Sequence, residues 1–434
     1  MENYDVIVIG AGFSGSIIAM DVAKVGNKVL LLDKLDKGCI GKKGRAETIE
    51  VDTCLSVGIP RVSGDELLVF TEIYNIFSPS GKTKKIVNYS TISIDGYLLN
   101  QRLLDYAIQA GAVFKTKEVK DVIISDNTVQ GIITTDNESL TGKIIVDSSG
   151  IEGVIRRKLP DNMNINKTFL LEETASAYRE KVKTPSIPNG EANIYFGFGG
   201  GLVWITPVDR GIGILNHEVD LQKTLYKFLS DNNYELTDSI SNFYKGKIPI
   251  RQNFPNMVAN GFLMVGDSAF MINTASGSGI TTSMKGAKLA AEIINEALEK
   301  GDTSLNSLWK FNVKYNRTYG SKLAYQDILR KILLSMTMEQ IDYCFEHNII
   351  TGEDIRKTLL GESIELSTWQ KLQRGFRGMK KLDILLHFDS GLNKAKNVRK
   401  HFSEFPEEPE DFNKWNKKLE ELNEKIPPLQ FEIE

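Results

Sequence analysis

Cysteine is scarce in these 434 residues. Three thiols, Cys39, Cys54 and Cys344, are too few for a disulfide framework, so a reducing compartment is the expectation. Histidine is nearly as scarce, with His217, His347, His387 and His401 alone; none is paired at a metal-ligand spacing, and no metal site is expected. No uninterrupted apolar stretch approaches the roughly 20 residues a membrane-spanning helix requires. The chain enters its first strand within a few residues of Met1, so no signal peptide is expected. These absences lead to the expectation of a cytoplasmic protein, soluble or peripheral at a membrane. Neither sign of charge dominates: 53 Lys and Arg against 56 Asp and Glu leave a net charge of −3, which gives no reason to expect a nucleic-acid partner. Internal repeats, a nucleophile elbow and a Ser-His-Asp arrangement are also missing. The length is enough to bury a sizeable core in two or three domains.

What is present begins with glycine in particular places. Asp5–Ile9 reads as the continuous apolar run of a fully buried parallel strand, and Gly10-Ala11-Gly12-Phe13-Ser14-Gly15 follows at once. In such a turn the first glycine allows the tight bend, the second lets the backbone approach a pyrophosphate, and the third permits close packing of helix on strand. The helix start then offers free N–H groups to a phosphate. A helix over Ser16–Val25, a turn at Gly26-Asn27 and a strand over Lys28–Leu32 lead to Asp33, near the spacing for holding a ribose 2′-hydroxyl. No second dinucleotide fingerprint appears, because Gly197–Gly201 lies in a strand-rich segment.

Further along, Leu99–Ala110 has helical spacing, and Val122–Ser125 and Gln130–Thr134 form strands around a turn at Asp126-Asn127. Lys143–Val146 is another buried strand, ending in Asp147-Ser148-Ser149-Gly150. Ile73–Phe77 and Lys85–Tyr89 read as a hairpin, and the chain is β-rich from Thr168 to Leu215. Leu263–Ile280 (LMVGDSAFMINTASGSGI) is a strand, a Gly-Asp turn, a loop and the start of a long helix. From about Ser304 the chain is mostly helical. Ile328–Met338 is apolar on most of a helix surface. The basic stretch Lys371–Lys400 precedes an acidic tail from Glu404. Either it is a solvated helix balanced by that tail, or its Phe376, Met379, Leu382, Leu385 and Leu386 touch an anionic membrane.

The glycine fingerprint, Asp147–Arg157 and Leu263–Ile280 together resemble the FAD-dependent geranylgeranyl reductase family, within the aromatic hydroxylase and flavin monooxygenase-like FAD superfamily. The resemblance covers about the first 300 residues. It implies an α/β fold: a Rossmann-like, glutathione-reductase-type FAD-binding domain (1–56, 89–157 and 256–303), an inserted antiparallel β-sheet substrate domain (57–88 and 158–255) and a helical C-terminal region (304–434). It implies FAD contacts from Gly10, Gly12, Ser14 and Gly15, from Asp33 and Lys34, and from Gly44, Arg45, Arg102, Val119 and Gly150. Asp267 is expected near the ribityl hydroxyls, with Gly277, Gly279 and Ile280 at the helix start under the pyrophosphate and isoalloxazine.

Several positions depart from the family pattern. The reductases carry YxWxFP and the halogenases WxWxIP where this chain has Leu202-Val203-Trp204-Ile205-Thr206-Pro207. Gly96 stands where the reductases place a phosphate-binding Arg, with Arg102 as a substitute. Gly44-Arg45 stands where they place a Cys beside a small residue, and Cys39 lies upstream. Trp204, as a wall of the substrate side, and Cys39, as a proton donor or redox thiol, are the catalytic candidates.

The implied activity is reduction of carbon–carbon double bonds in polyprenyl lipid chains by hydride from reduced flavin, with NAD(P)H or a ferredoxin-like carrier as electron donor. The alternatives are a flavin monooxygenase or halogenase, and an FAD-bearing electron-transfer protein.

Overall fold

The computed structural model describes residues 3–41, 46–165, 168–215, 217–236, 243–378 and 381–424. Its first sheet runs in the order Val258–Ala259, Phe262–Met264, Ser139–Asp147, Asn3–Ile9, Val29–Asp33, Val113–Thr116. The last five of these pair in parallel. Val6–Val8, Val29–Leu32 and Ile144–Val146 are wholly buried, as unbroken apolar runs in a sheet covered on both faces must be. The helix Phe13–Ala23 packs between Gly96–Gln109 and Ile280–Lys300. It is therefore apolar all round rather than striped, with Ile17, Ile18, Ala19 and Val22 inaccessible. A hairpin of Val119–Ser125 and Thr128–Thr134, turned at Asp126 and Asn127 with φ of 48° and 57°, extends the sheet against Ser139–Asp147.

The second sheet runs Phe243–Pro249, Thr174–Lys181, Asp209–Ile214, Leu202–Ile205, Glu191–Phe196, Leu67–Phe77, Lys84–Asp95, Ala46–Glu50. It is antiparallel except where Glu191–Phe196 meets Leu67–Phe77. The sheet curls so far that Arg179, near one edge, donates to the Ala46 carbonyl and ion-pairs with Glu47 on the other edge strand. Lys181 likewise reaches Asp95 at 2.6 Å. One face carries Val203, Ile205, Ile212 and Ile214 against the helix Leu221–Asp231. The opposite face sends Ile76, Val87, Ile194 and Phe196 into the larger core shared with the first sheet.

The chain changes layers earlier than the boundary at residue 56: Ala46–Glu50 already lies in the second sheet. Lys84–Asp95 also runs straight through residue 88. Thr91, Ile92, Ser93 and Ile94 are all buried, and only at Asp95, which caps the helix Gly96–Gln109 through Tyr97 and Leu98 N–H, does the strand end.

Beyond the flavin-type core follow helices Leu305–Tyr315, Ser321–Leu334, Met338–Glu346, Gly352–Leu359, Thr368–Arg377, Leu382–Ser403 and Phe412–Glu424. The apolar run Ile328–Met338 is broken after Leu334, because Thr337 and Gln340 form a reciprocal capping box that starts a new helix. Ile328, Leu329 and Ile332 are buried, and Gly391 of the neighbouring helix lets Ile332 approach.

Beneath the Leu221–Asp231 helix a buried ion pair joins Arg210 Nε to Glu180 at 3.0 Å, and Tyr178 donates its hydroxyl to the same carboxylate. Removing one partner of such a pair leaves an uncompensated buried charge. Arg210→Met should therefore lower the unfolding free energy by about 3–5 kcal/mol in a urea titration, and the double variant Arg210→Met/Glu180→Leu should recover most of it. A single variant as stable as the parent would show that the pair is not buried in solution.

Candidate active site

Two helix N-termini and two strand ends converge where the sequence places its glycines. After Ile9 the chain turns at Gly10, whose φ is +98° and whose N–H donates to the Leu32 carbonyl at 2.7 Å. A Cβ there would lie 2.3 Å from the Ser148 carbonyl oxygen, and one on Gly15 would lie 1.9 Å from the Gly10 oxygen. Both glycines are thus demanded by packing inside the protein. Gly12 is different: its φ is −70°, and a Cβ on it would meet nothing within 4 Å. It is the N-cap of Phe13–Ala23, and no side chain caps that helix. Its bareness leaves a hollow in front of uncapped N–H groups, which is the shape and polarity a pyrophosphate needs.

Asp33 closes one side of this turn. Its Oδ2 accepts from Ala11 N–H at 2.9 Å and its Oδ1 from Leu35 N–H at 2.9 Å; Lys34 beside it is exposed. From the helix Gly96–Gln109, Asn100 donates its amide to the Ala11 carbonyl at 3.0 Å. Arg102, two positions on and about 200° around that helix, faces elsewhere. It ion-pairs with Glu66 at 2.6 Å and donates to the Pro60 carbonyl, beside the buried thiol of Cys54, which burial pushes up in pKa. Gly44 and Arg45 lie outside the described residues. Val119 is buried at the head of its strand, paired with Thr134. Cys39 is exposed at the end of the short turn Lys37–Cys39. Cys344 is buried, its thiol raised to about 12 by that burial, an apolar filler.

Asp147 fastens the next two loops. Its wholly buried carboxylate accepts from the backbone N–H of Ser149, Ile155 and Arg156 and from the Ser149 hydroxyl. The Ser148 hydroxyl reaches back to the Ile9 and Gly10 carbonyls at 2.8 Å, and Gly150, at φ +77°, again leaves open space. Arg156, fully buried, lies within 6 Å of the ring centres of Phe169, Phe254 and Phe270; burial pulls its guanidinium down to about 10 against the pull of Asp147.

The Gly-Asp segment docks on this loop. Ser268 Oγ donates to the Asp147 carbonyl at 2.6 Å, and a Cβ on Gly266 would crowd Ser14 Oγ at 2.9 Å. The chain then doubles back through Gly277, φ +71°, to Gly279, the N-cap of Ile280–Lys300, again with no side-chain cap. The Asp267 carboxylate lies next to that start, since a Cβ on Gly279 would sit 3.3 Å from its Oδ1. Gly10, Gly12, Ser14, Gly15, Asp33, Gly150, Asp267, Gly279 and Ile280 thus surround the two uncapped helix starts.

The second sheet presents a different chemistry. Its pairing register puts Tyr74, Ile194, Phe196, Trp204, Gly211 and Arg179 on the face that joins the larger core. Trp204 is half-buried. Its indole N–H donates to Asp209 Oδ2 at 3.0 Å, and the Arg179 guanidinium lies 5.1 Å over its ring. The bare Gly211 opposite makes room for the indole, because a Cβ there would stand 2.2 Å from it. Tyr74 and Tyr89 stack obliquely at 5.9 Å; burial, reinforced by the Asp209 charge, raises the Tyr74 phenol to about 12, and burial with Glu50 nearby raises that of Tyr89 as well. Asn100, Arg179, Asp209 and Tyr74 are site residues that the sequence reading missed. Only Asn100 carried a signal, as a lone amide on the apolar side of a helix.

Because nothing among the described residues touches the place of its missing Cβ, Gly12→Ala and Gly12→Val should leave the thermal midpoint of the flavin-free protein within about 2 °C. Both should cut the FAD retained on purification at least tenfold. Retention at the parent level would remove the pyrophosphate from this turn.

Comparison with known proteins gives consistent results. Residues 74–324 match the family model described as tryptophan halogenase. The digeranylgeranylglycerophospholipid reductase of Sulfolobus acidocaldarius is 28% identical, with 97% of each chain covered. Digeranylgeranylglycerophospholipid reductase 1 of Methanococcoides burtonii is 27% identical over 79% of this chain and 86% of its own. Among solved structures, a geranylgeranyl bacteriochlorophyll reductase-like protein of Thermoplasma acidophilum superposes with a TM-score of 0.75 at 19% identity, covering 90% of this chain and all of that one. The flavin-dependent brominase Bmp2 gives 0.62 at 16%, covering 88% and 99%. The cofactor of this fold is FAD, and the open glycine hollow and the Asp267–Gly279 corner suit it. The chain belongs to the family that the tryptophan halogenase model describes, is an FAD-dependent oxidoreductase, and is similar within that family to the geranylgeranyl reductases.

Proposed function

We propose that the protein saturates carbon–carbon double bonds in polyprenyl, geranylgeranyl-type lipid chains. The observation that carries this reading is the core-facing side of the second sheet: Ile194, Phe196, Trp204 and Tyr74 give it an apolar and aromatic surface, while its charges are bound to one another as Arg179–Asp209, Arg179–Glu47 and Lys181–Asp95. Such a wall suits an isolated alkene, which offers no polar handle. The names of the relatives from Sulfolobus acidocaldarius and Methanococcoides burtonii point to the same substrate class.

Bound and reduced, FAD supplies a hydride from N5, and the second alkene carbon takes a proton. The chain's own residues bind, orient and shield. Gly12 and the N–H groups of the helix behind it hold the pyrophosphate, Asp33 the adenosine ribose, and Asp267 the ribityl hydroxyls. Trp204, fixed by Asp209 and Arg179 on its edge and face, forms a rigid wall against which an isoprenoid unit is pressed while water is kept out. Tyr74 and Tyr89 hold hydroxyl groups that stay protonated at neutral pH, since burial raises both. A nicotinamide or a ferredoxin-like carrier would supply the two electrons, and either is compatible with a single dinucleotide fingerprint. A second reading, an oxygen-activating halogenase or hydroxylase, draws on the description of the matching family model.

The test is anaerobic. The FAD-loaded protein is reduced and mixed with a geranylgeranyl-chain lipid; flavin reoxidation with a gain of two hydrogens per double bond supports the reductase. Lipid that leaves the reduced flavin untouched, while oxygen consumes it with transfer to an aromatic substrate, would favour the second reading. Within the reductase, Trp204→Ala should lower kcat/KM by roughly 10- to 100-fold, the range for loss of apolar contact in a pocket, with flavin content unchanged and Trp204→Phe close to the parent.

A further inference from the structure

The helix Thr368–Arg377 is amphipathic with its polarity inverted. The side turned into the protein is anchored by Arg374, which is buried, pairs with Asp354 at 2.9 Å and donates to the Ile349 carbonyl at 2.8 Å. The opposite side carries Trp369, Leu372 and Phe376, at i, i+3 and i+7, and all three stand between 62% and 79% exposed. At the start of the next helix, Leu382 and Leu386 repeat the pattern at i and i+4, exposed by 59% and 71%. A soluble helix ordinarily buries its aromatic stripe and exposes its arginine; five large apolar side chains gathered in two adjacent helices and facing outward mark a surface with a partner.

The charges beside the stripe point to what the partner is. Thr368–Arg377 contains no acidic residue, and Lys371, Arg377 and Lys381 are exposed around it, against Asp383 and Asp389 on the next helix, the latter 4.0 Å from Lys371. Lys381 lies 5.4 Å over the Tyr343 ring, and the Tyr343 hydroxyl donates to the Arg377 carbonyl, so the patch has a firm base. That base leads back to the active-site sheet: Asp342, on the same helix as Tyr343, accepts from the Ser80 N–H and hydroxyl at the tip of the Leu67–Phe77/Lys84–Asp95 hairpin. Among the described residues no helix is long and apolar enough to cross a membrane. An exposed Trp, Phe and Leu stripe flanked by cations is the pattern of a helix lying in the interface of an anionic bilayer.

We infer that Thr368–Arg377 and the first turn of Leu382–Ser403 form a monotopic docking surface for a negatively charged lipid bilayer. It seats the protein so that the hairpin tip of the second sheet faces the membrane. The inference deepens the proposed function, whose substrate is a lipid, but its test does not depend on turnover. The full-length, FAD-loaded protein is sedimented with phosphatidylglycerol vesicles and with phosphatidylcholine vesicles, neither containing isoprenoid chains. The expected result is binding to the anionic vesicles that weakens with salt, and that falls by roughly tenfold or more in Trp369→Ser/Leu372→Ser/Phe376→Ser and in Lys371→Glu/Arg377→Glu. Both variants should keep the parent's flavin content, because the altered side chains are exposed. Absence of binding by the parent, or binding that neither variant weakens, overturns the inference. So does a concentration-dependent dimer that the serine variant dissociates in the absence of vesicle binding, since a second copy then covers the stripe. Vesicle binding by a protein that fails the anaerobic test with a geranylgeranyl-chain lipid would leave the docking surface standing and remove the reductase.

Discussion

Asp147 ties three segments of the chain together through hydrogen bonds of 2.6–3.1 Å, and the cofactor site exists only because they lie that close. Its carboxylate, out of contact with solvent, collects four hydrogen bonds from the loop that follows it, an arrangement in which each lost partner leaves a buried donor without an acceptor. Its carbonyl accepts the Ser268 hydroxyl and the Val265 N–H, bringing the Gly-Asp turn alongside. Its strand pairs with Asn3–Ile9, so Ser148 lies against Gly10. From this crowding follow the glycines at 10, 15 and 266. The glycine at 12 follows from the opposite condition, an opening that nothing among the described residues fills.

The second sheet answers the first. A sheet that only covered a core would need no charges on its inner face, yet this one keeps Arg179, Lys181 and Asp209 there, paired with one another and with Glu47 and Asp95. Two of the pairs, Arg179–Glu47 and Lys181–Asp95, join strands at or next to opposite edges and so hold the curl. Asp209 and Arg179 also fix Trp204 by its N–H and its face, converting a mobile indole into a defined wall. Electrostatics here serves shape, and the surface left for a substrate is aromatic and aliphatic, as expected of an enzyme whose hard chemistry resides in the cofactor.

Much of this was legible in the chain. The two glycine turns, the Asp at the end of the second strand and the Gly-Asp loop are local features, each with its own steric cause, and the structure places them together. What was not legible depends on contacts between distant residues. Arg179 reaches Ala46 across 133 residues only because the sheet curls, and no pattern within either strand announces it. Choosing Asn100 over Arg102 on one helix needed the rotation of that helix relative to the turn. The early change of layer at Ala46 is preceded by Gly38, Gly41 and Gly44, which mark a turn but do not say which sheet the next strand joins. In the C-terminal part, the capping box at Thr337 and Gln340 was readable as a helix start within an apolar run. The outward direction of Trp369 and Phe376 was not, since it is set by the Arg374–Asp354 pair, whose members are 20 residues apart.

The central claim is that an isoprenoid chain lies between the flavin held at Gly12 and Asp267 and the wall built on Trp204. A crystal structure of the FAD-loaded protein with a geranylgeranyl-chain lipid tests it most directly. The account predicts the pyrophosphate at the N-terminus of Phe13–Ala23 and an alkene carbon stacked over the flavin N5, with the chain in contact with Trp204, Ile194 and Phe196. Flavin bound as predicted, but lipid lodged on the Leu221–Asp231 side of the sheet or with no double bond near N5, would contradict it.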